Sequence, residues 1–128
     1  MYLLDTHTLF WLDTDPTRLS PRGLTVLKNK AYTIYVSSIS AWELTIKHRL
    51  GKLPNAAPLL GSYHSSLARY SFTEISFSSH HALAEAGLSR NHKDPFDRAL
   101  VAQALTEGLI LITNDPLVQS FSEVKTLW

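Results

Sequence analysis

The sequence predicts an α/β domain built on a central, mainly parallel sheet of about five strands, with helices filling the connections. Three observations carry this expectation. The opening run Met1-Tyr2-Leu3-Leu4 is apolar up to Asp5, the pattern of a strand buried on both faces, as in the middle of a parallel sheet. Apolar and β-branched runs then alternate with stretches of helical spacing. Near the end, a long apolar helix pattern reaches Glu107-Gly108 and a strand pattern starts at Leu109. The chain therefore reverses within one glycine, and that helix and strand run antiparallel.

The elements follow in order. Asp5 sits where the first strand meets the crevice at the carboxyl edge of an open sheet, the place where such folds bind ligands. Its competing role is to cap the segment that begins at Thr6. That segment, through Leu9, Phe10, Trp11 and Leu12, reads as a short helix ended by Asp13-Thr14-Asp15-Pro16. Ser20-Pro21 is a cap followed by proline at the first helical position, and Leu24 and Leu27 continue at helical spacing to Asn29 or Lys30. Thr33-Ile34-Tyr35-Val36 is the second strand. Ser40-Ala41-Trp42-Glu43 has the form of a capping box, in which the glutamate reaches back to the cap. The helix it opens runs to Leu50-Gly51, with Gly51 as its C-cap. Another helix spans Ala57-Pro58 to about Tyr70 on a stripe of Leu59, Leu60, Tyr63 and Leu67. Phe72 to Phe77 alternates as a third strand, and Ser79 to Leu88 is a short helix.

The stretch Asn91-His92-Lys93-Asp94-Pro95-Phe96-Asp97-Arg98 opens the apolar helix. Asp94 is its N-cap and Pro95 its first residue, and Ala99 to Leu105 is apolar apart from Gln103, so the helix is largely buried. If the strand from Leu109 to Ile112 runs parallel to the first, the start of this helix, with Asp97, shares an edge with Asp5. Asp115 follows the end of the same strand, and Glu43 opens a helix that follows a strand. Val124 to Leu127 is a terminal strand.

Four acids, Asp5, Glu43, Asp97 and Asp115, thus converge on one edge. Each has a structural alternative: helix capping for Asp5 and Glu43, the partial positive charge of a helix start for Asp97, a turn or cap for Asp115. Clustered carboxylates repel one another unless a cation is present. Mg²⁺ and Mn²⁺ take oxygen ligands, and a site of this kind polarises a phosphoryl oxygen and activates water against a phosphodiester. Lys47 stands four residues after Glu43, and His92 and Arg98 lie near Asp97; all three are candidates for phosphate contact, with a solvated loop the alternative for His92 and a helix-surface charge that for Arg98. A helix-face ion pair of about 0.3–0.5 kcal/mol is the alternative for Lys47.

Composition narrows the field. The 128 residues suit one domain, residues 1–128, with 45% hydrophobic residues and no linker or repeat. Apolar runs are short and Asp5 stands where a signal peptide would be apolar, so a soluble, cytoplasmic protein with no membrane association is expected. The absence of cysteine excludes disulfides, thiolate nucleophiles and Cys-ligated zinc. Net charge is +1, but taking the four acids from the 11 present leaves 7 against 12 basic residues, a basic surround for an acidic centre. The six histidines include no pair at i+3 or i+4, so no helical His-metal site is expected. Trp42, Trp11 and Phe10 read as core or subunit-contact residues, and the five glycines form no phosphate-binding loop.

Leu3-Leu4-Asp5-Thr6-His7, Ser38 to Glu43 with Trp42-Glu43-Leu44, His92 to Arg98 with Asp94-Pro95-Phe96-Asp97-Arg98, and Thr113-Asn114-Asp115, in this order, resemble the PIN-domain family, and within it the VapC-type toxins. The resemblance implies a three-layer α/β/α fold and Mg²⁺- or Mn²⁺-dependent endoribonuclease activity. It also implies homodimerisation and neutralisation by a small cognate antitoxin. Asp5 and Asp97 would touch the metal directly, and Glu43 and Asp115 directly or through water. Thr6, Asp94, Thr113 and Asn114 would support them. His7, where many relatives carry another polar residue, and the extra acid Asp94 depart from the pattern. A catalytically idle PIN-like binding module and a metal-dependent phosphatase are the alternatives. A receiver domain fits worse because the third strand ends in Ser76-Phe77-Ser78, and a haloacid-dehalogenase-like start would need D-x-D where Asp5-Thr6-His7 stands.

Overall fold

The computed structural model describes residues 1–90 and 92–128; Asn91, which begins the stretch up to Arg98, lies outside them. Its strands are β1 (Tyr2–Leu4), β2 (Ile34–Ser37), β3 (Thr73–Ile75), β4 (Ile110–Ile112) and β5 (Thr126–Leu127). They form one sheet of order β3-β2-β1-β4-β5 in which every pairing is parallel. The apolar opening run is therefore the central strand. Side-chain alternation divides the core in two. Leu4, Ile34, Val36 and Ile112 face one apolar cluster, while Leu3, Tyr35 and Leu111 face the other.

Helices cover both faces. Leu9 and Phe10 of α1 (Thr6–Thr14), Val26 and Leu27 of α2 (Pro21–Lys28), and Leu44 of α3 (Ser38–Arg49) fill the first cluster. Leu59 of α4 (Ala57–Gly61) and Leu67 of α5 (Tyr63–Tyr70) join them. The second cluster lies under α6 (Ser79–Glu85) and α7 (Pro95–Glu107), with Val118 of α8 (Pro116–Gln119). This is the three-layer α/β/α arrangement. None of the helices among the described residues is long and apolar enough to cross a membrane.

Two expected features are corrected. Helix α3 starts at Ser38, not after Ser40: Ser37, the last residue of β2, is already extended, and its hydroxyl accepts from the Ile39 amide at 3.1 Å. The strand hands over to the helix at the first serine able to cap it. Ser40 instead bonds the Thr6 hydroxyl at 2.9 Å, joining α3 to α1. Glu43 consequently lies on the second turn, beyond reach of the cap, and the capping-box explanation for it is withdrawn. Ser37→Ala is expected to lower stability by about 1 kcal/mol. A urea midpoint equal to wild type would show that the cap contributes nothing.

The helix expected from residue 57 to 70 is broken between Gly61 and Tyr63. The Ser62 hydroxyl bonds the Pro58 carbonyl at 2.9 Å and the Ser66 hydroxyl at 3.0 Å, competing with the helix backbone beside a poor helix former. The predicted reversal after α7 is present. Gly108 adopts φ +66, a left-handed conformation that favours glycine, and its neighbour Leu109 donates to the Ala104 carbonyl at 2.8 Å.

Candidate metal centre

In this strand order the chain moves outward from β1 on one side through β2 to β3, then returns to place β4 on the other side of β1. The gap at the carboxyl ends of β1 and β4 is the switch point at which an open parallel sheet forms a crevice. Asp5 leaves β1 there and Thr113 leaves β4. The Thr113 hydroxyl donates to Asp5 Oδ2 and accepts from the Asp115 amide at 3.1 Å, so one buried threonine ties the two strand ends together.

Asp5 is 4% exposed, and its Oδ1 accepts from the His7 amide at 3.0 Å. Capping and site location therefore coincide rather than compete. Burial raises its pKa above the ordinary value, against the lowering effect of the Thr113 and His7 hydrogen bonds. Asp115 caps α8 in the same way, with Oδ1 accepting from the Leu117 amide at 2.9 Å. Asp94 caps α7 through the Phe96 and Asp97 amides at 2.9 and 3.2 Å. Asp97 is thereby spared capping, and its carboxylate turns to the crevice, bonded to His92 Nε2 at 2.9 Å.

The charges feel one another. Burial first, then Asp5, Asp94, Glu43 and Asp115, push the Asp97 carboxyl up to about 8. Glu43 is 1% exposed, and its Oε2 is paired with Lys47, one helical turn on. Burial disfavours the Lys47 charge, yet the bond to Glu43 and the fields of Glu43, Asp94 and Asp97 outweigh it and hold the ammonium above its usual range. The other Glu43 oxygen, Oε1, is buried without a hydrogen-bond partner among the described residues. Native proteins rarely leave such an atom unmatched.

An orphaned carboxylate oxygen, a carboxyl that the surrounding acids resist ionising, and a donor set of oxygens with one imidazole all fit a hard divalent cation. His92, Asp97 and Asp115 each offer a ligand atom within 4.8 Å of one another. Asp5 and Glu43 belong to the same electrostatic cluster but not to that tightest group. The sequence places His92 beside the acids as a phosphate contact or a solvated loop residue; the structure instead buries it against Asp97, among the atoms that could hold the ion.

Other expected residues fall elsewhere. Thr6 is buried and spends its hydroxyl on Ser40, so it braces α1 against α3. Asn114 is exposed, with no side-chain hydrogen bond to the acids. Arg98 is not placed for phosphate: its guanidinium pairs with Glu85 and donates to the carbonyls of Glu85, Ser89 and His92. Five fixed donors suit an arginine to gathering a loop of carbonyls. Lys47 is engaged by Glu43. Trp42 is 58% exposed and meets Phe96 edge to face, so it is not a core residue, whereas Phe10 is buried. Beside the acids, Ile39, Trp42, Phe77, Pro95 and Phe96 line an apolar groove of about 580 Å³, with Arg90 and Lys93 also lining it.

Residues 2–125 match the model of the PIN domain family. The chain is 31% identical to Ribonuclease VapC22 of Mycobacterium tuberculosis (strain ATCC 25618 / H37Rv) over 128 residues, 98% of this chain and 97% of that relative. Among solved structures it resembles VapBC2 from Rickettsia felis bound to a DNA fragment from its promoter, with a TM-score of 0.70 at 20% identity, covering 98% of this chain and 96% of that one. It also resembles FitAcB from Neisseria gonorrhoeae, with a TM-score of 0.65 at 21% identity, covering 100% and 97% of the two chains.

Proposed function

Because the chain belongs to the PIN-domain family, we propose that it is a divalent-metal-dependent endoribonuclease, the toxin of a toxin–antitoxin pair, and that Asp5, Glu43, Asp97 and Asp115 carry the reaction. The observation behind this reading is the carboxylate cluster at the sheet's switch point, with one buried oxygen of Glu43 left without a partner among the described residues. Such a cluster costs stability, and a cation that binds it offsets the cost.

Asp5 and Asp97 would hold Mg²⁺ or Mn²⁺ directly, and Glu43 and Asp115 directly or through water. A bound ion would supply Lewis-acid polarisation of a phosphoryl oxygen and a lowered pKa for coordinated water, giving a hydroxide-like nucleophile at neutral pH. The chain's own residues organise the rest. Thr113 fixes the Asp5 carboxylate, Asp94 holds the start of α7 so that Asp97 faces the crevice, and Lys47 limits the negative charge around Glu43. No side-chain nucleophile is needed.

RNA is the substrate, a small cognate antitoxin the protein partner, and a homodimer the working form, in the cytoplasm. The apolar groove beside the acids supports a protein partner, because Trp42 and Phe96 expose aromatic surface next to the exposed Arg90 and Lys93. The deciding experiment is incubation of antitoxin-free chain with total tRNA and structured RNAs in Mg²⁺ or Mn²⁺. Cleavage that stops with EDTA is expected. Metal binding by folded chain without cleavage of any RNA would favour the idle binding module, and turnover of small phosphomonoesters instead would favour a phosphatase.

A further inference from the structure

The proposed roles of the four acids leave His92 unexplained, although it is only 6% exposed and is held from several sides. Arg98 Nη1 donates to its carbonyl oxygen at 3.0 Å, while the same guanidinium binds the Ser89 and Glu85 carbonyls. The segment before α7 is thereby tied to that helix's first turn. The imidazole lies beside Phe121, ring centroids 6.0 Å apart, and the Asp94 amide donates to Nδ1 at 3.4 Å. An imidazole whose Nδ1 accepts carries its proton on Nε2. That Nε2 is 2.9 Å from Asp97 Oδ2.

We propose that His92 is a positioning residue: its Nε2–H holds Oδ2 of Asp97, fixing the rotation of the carboxylate so that the other oxygen is the one presented to the divalent ion. The inference rests on the metal-dependent reading of the site. A carboxylate at the first turn of a helix turns freely about its last bond unless something outside the helix restrains it. His92 supplies that restraint, and Arg98 and Asp94 hold His92. The Asp94–Arg98 stretch is thus a self-supporting unit: Asp94 caps the helix and sets the imidazole tautomer, Asp97 is the ligand, and Arg98 secures the loop. Hydrogen-bond partners of ligating groups are worth about 10–100-fold in metal affinity.

The test is Mn²⁺ binding, followed by EPR and calorimetry, on wild type, His92→Leu, His92→Gln and Asp97→Asn. His92→Leu is expected to weaken binding about 10–100-fold. His92→Gln, whose amide N–H reaches towards the same place as Nε2–H, is expected to recover most of it. Should His92→Leu fail to fold, His92→Asn, with its shorter amide, takes its place and must bind more weakly than His92→Gln. Pulsed EPR of Mn²⁺ on wild type should show no directly coordinated histidine nitrogen. Wild-type affinity in the folded His92→Leu variant, or in His92→Asn where it substitutes, would overturn the positioning role while leaving the metal site intact. A directly bound histidine nitrogen would overturn it too, making His92 a ligand alongside Asp97 and Asp115. If wild type itself binds no Mn²⁺, the metal reading falls and this inference with it.

Discussion

Asp97→Asn is expected to lower RNA cleavage by about 10³-fold or more while raising the melting temperature of the metal-free chain at pH 8. The two effects have one cause. Burial and the surrounding acids push the Asp97 carboxyl up to about 8, from an unfolded value near 3.8. Holding that charge in the fold without a cation costs on the order of 5 kcal/mol as an upper bound. The start of α7 returns about 0.3–1 kcal/mol, up to about 2 in partly buried geometry, so repulsion wins over the helix. Asparagine has nearly the same shape, its oxygen can still accept from His92, and it carries no charge. Stability rises for that reason. Metal-assisted charge stabilisation contributes several kcal/mol to the transition state, and a neutral amide is a poor ligand for a hard cation, so activity falls. Parallel calorimetric scans in EDTA and cleavage assays in Mn²⁺ measure both. A variant that melts below wild type at pH 8, or still cleaves RNA, would show that Asp97 is part of the helix and not of the site.

The same residue shows how much the sequence discloses. Asp94 before Pro95, and Gly108 before an apolar run, are local signals that only one backbone satisfies, so α7 and its orientation were legible. The continuous apolar run into Asp5 likewise identified the central strand. What the sequence could not settle was a choice between equivalent residues. Ser37, Ser38 and Ser40 are all competent caps, and tertiary context decides among them: β2 ends at Ser37, while Ser40 is engaged by Thr6 from another helix. That displacement removes Glu43 from the helix end and leaves its Oε1 unmatched.

The location of His92 and Arg98 near the acids is legible in the sequence, but their partners are not, for another reason. Periodicity reveals partners at i+3 or i+4 on one helix. The His92 to Asp97 pair spans five residues across a loop-to-helix junction, and Arg98 is bound mainly to carbonyls, which no side-chain pattern records. Its place beside Asp97 makes Arg98 read as a phosphate contact. Counting the loop carbonyls that need donors would have made it a scaffold. Asn114, adjacent to a buried threonine, is exposed because the chain turns between Thr113 and the Asp115 cap.

The melting temperatures of the metal-free and Mn²⁺-loaded chain should separate as pH rises. In EDTA, a group whose folded pKa is raised binds more protons in the native than in the unfolded state, so its contribution is complete below the unfolded value. It is lost as pH rises towards the folded value. For Asp97 that window runs from 3.8 to about 8. Burial places Asp5 on the same side of its ordinary value, and its contribution has the same sign. With Mn²⁺ present the order inverts. The ion competes with protons for these carboxylates, so its affinity grows with pH, and an ion at 100 times its dissociation constant adds about 2.7 kcal/mol. For a chain of this size that is roughly 10 °C. The EDTA curve should fall between pH 5 and 8 relative to that of Asp97→Asn, whose neutral side chain removes the Asp97 contribution. The Mn²⁺ curve should hold or rise, so the gap at pH 8 exceeds the gap at pH 5. A constant gap would mean that the ion binds away from these acids. An EDTA curve that climbs relative to Asp97→Asn would mean that Asp97 is stabilised as a carboxylate by the fold itself, and the reason for expecting a metal there would be gone.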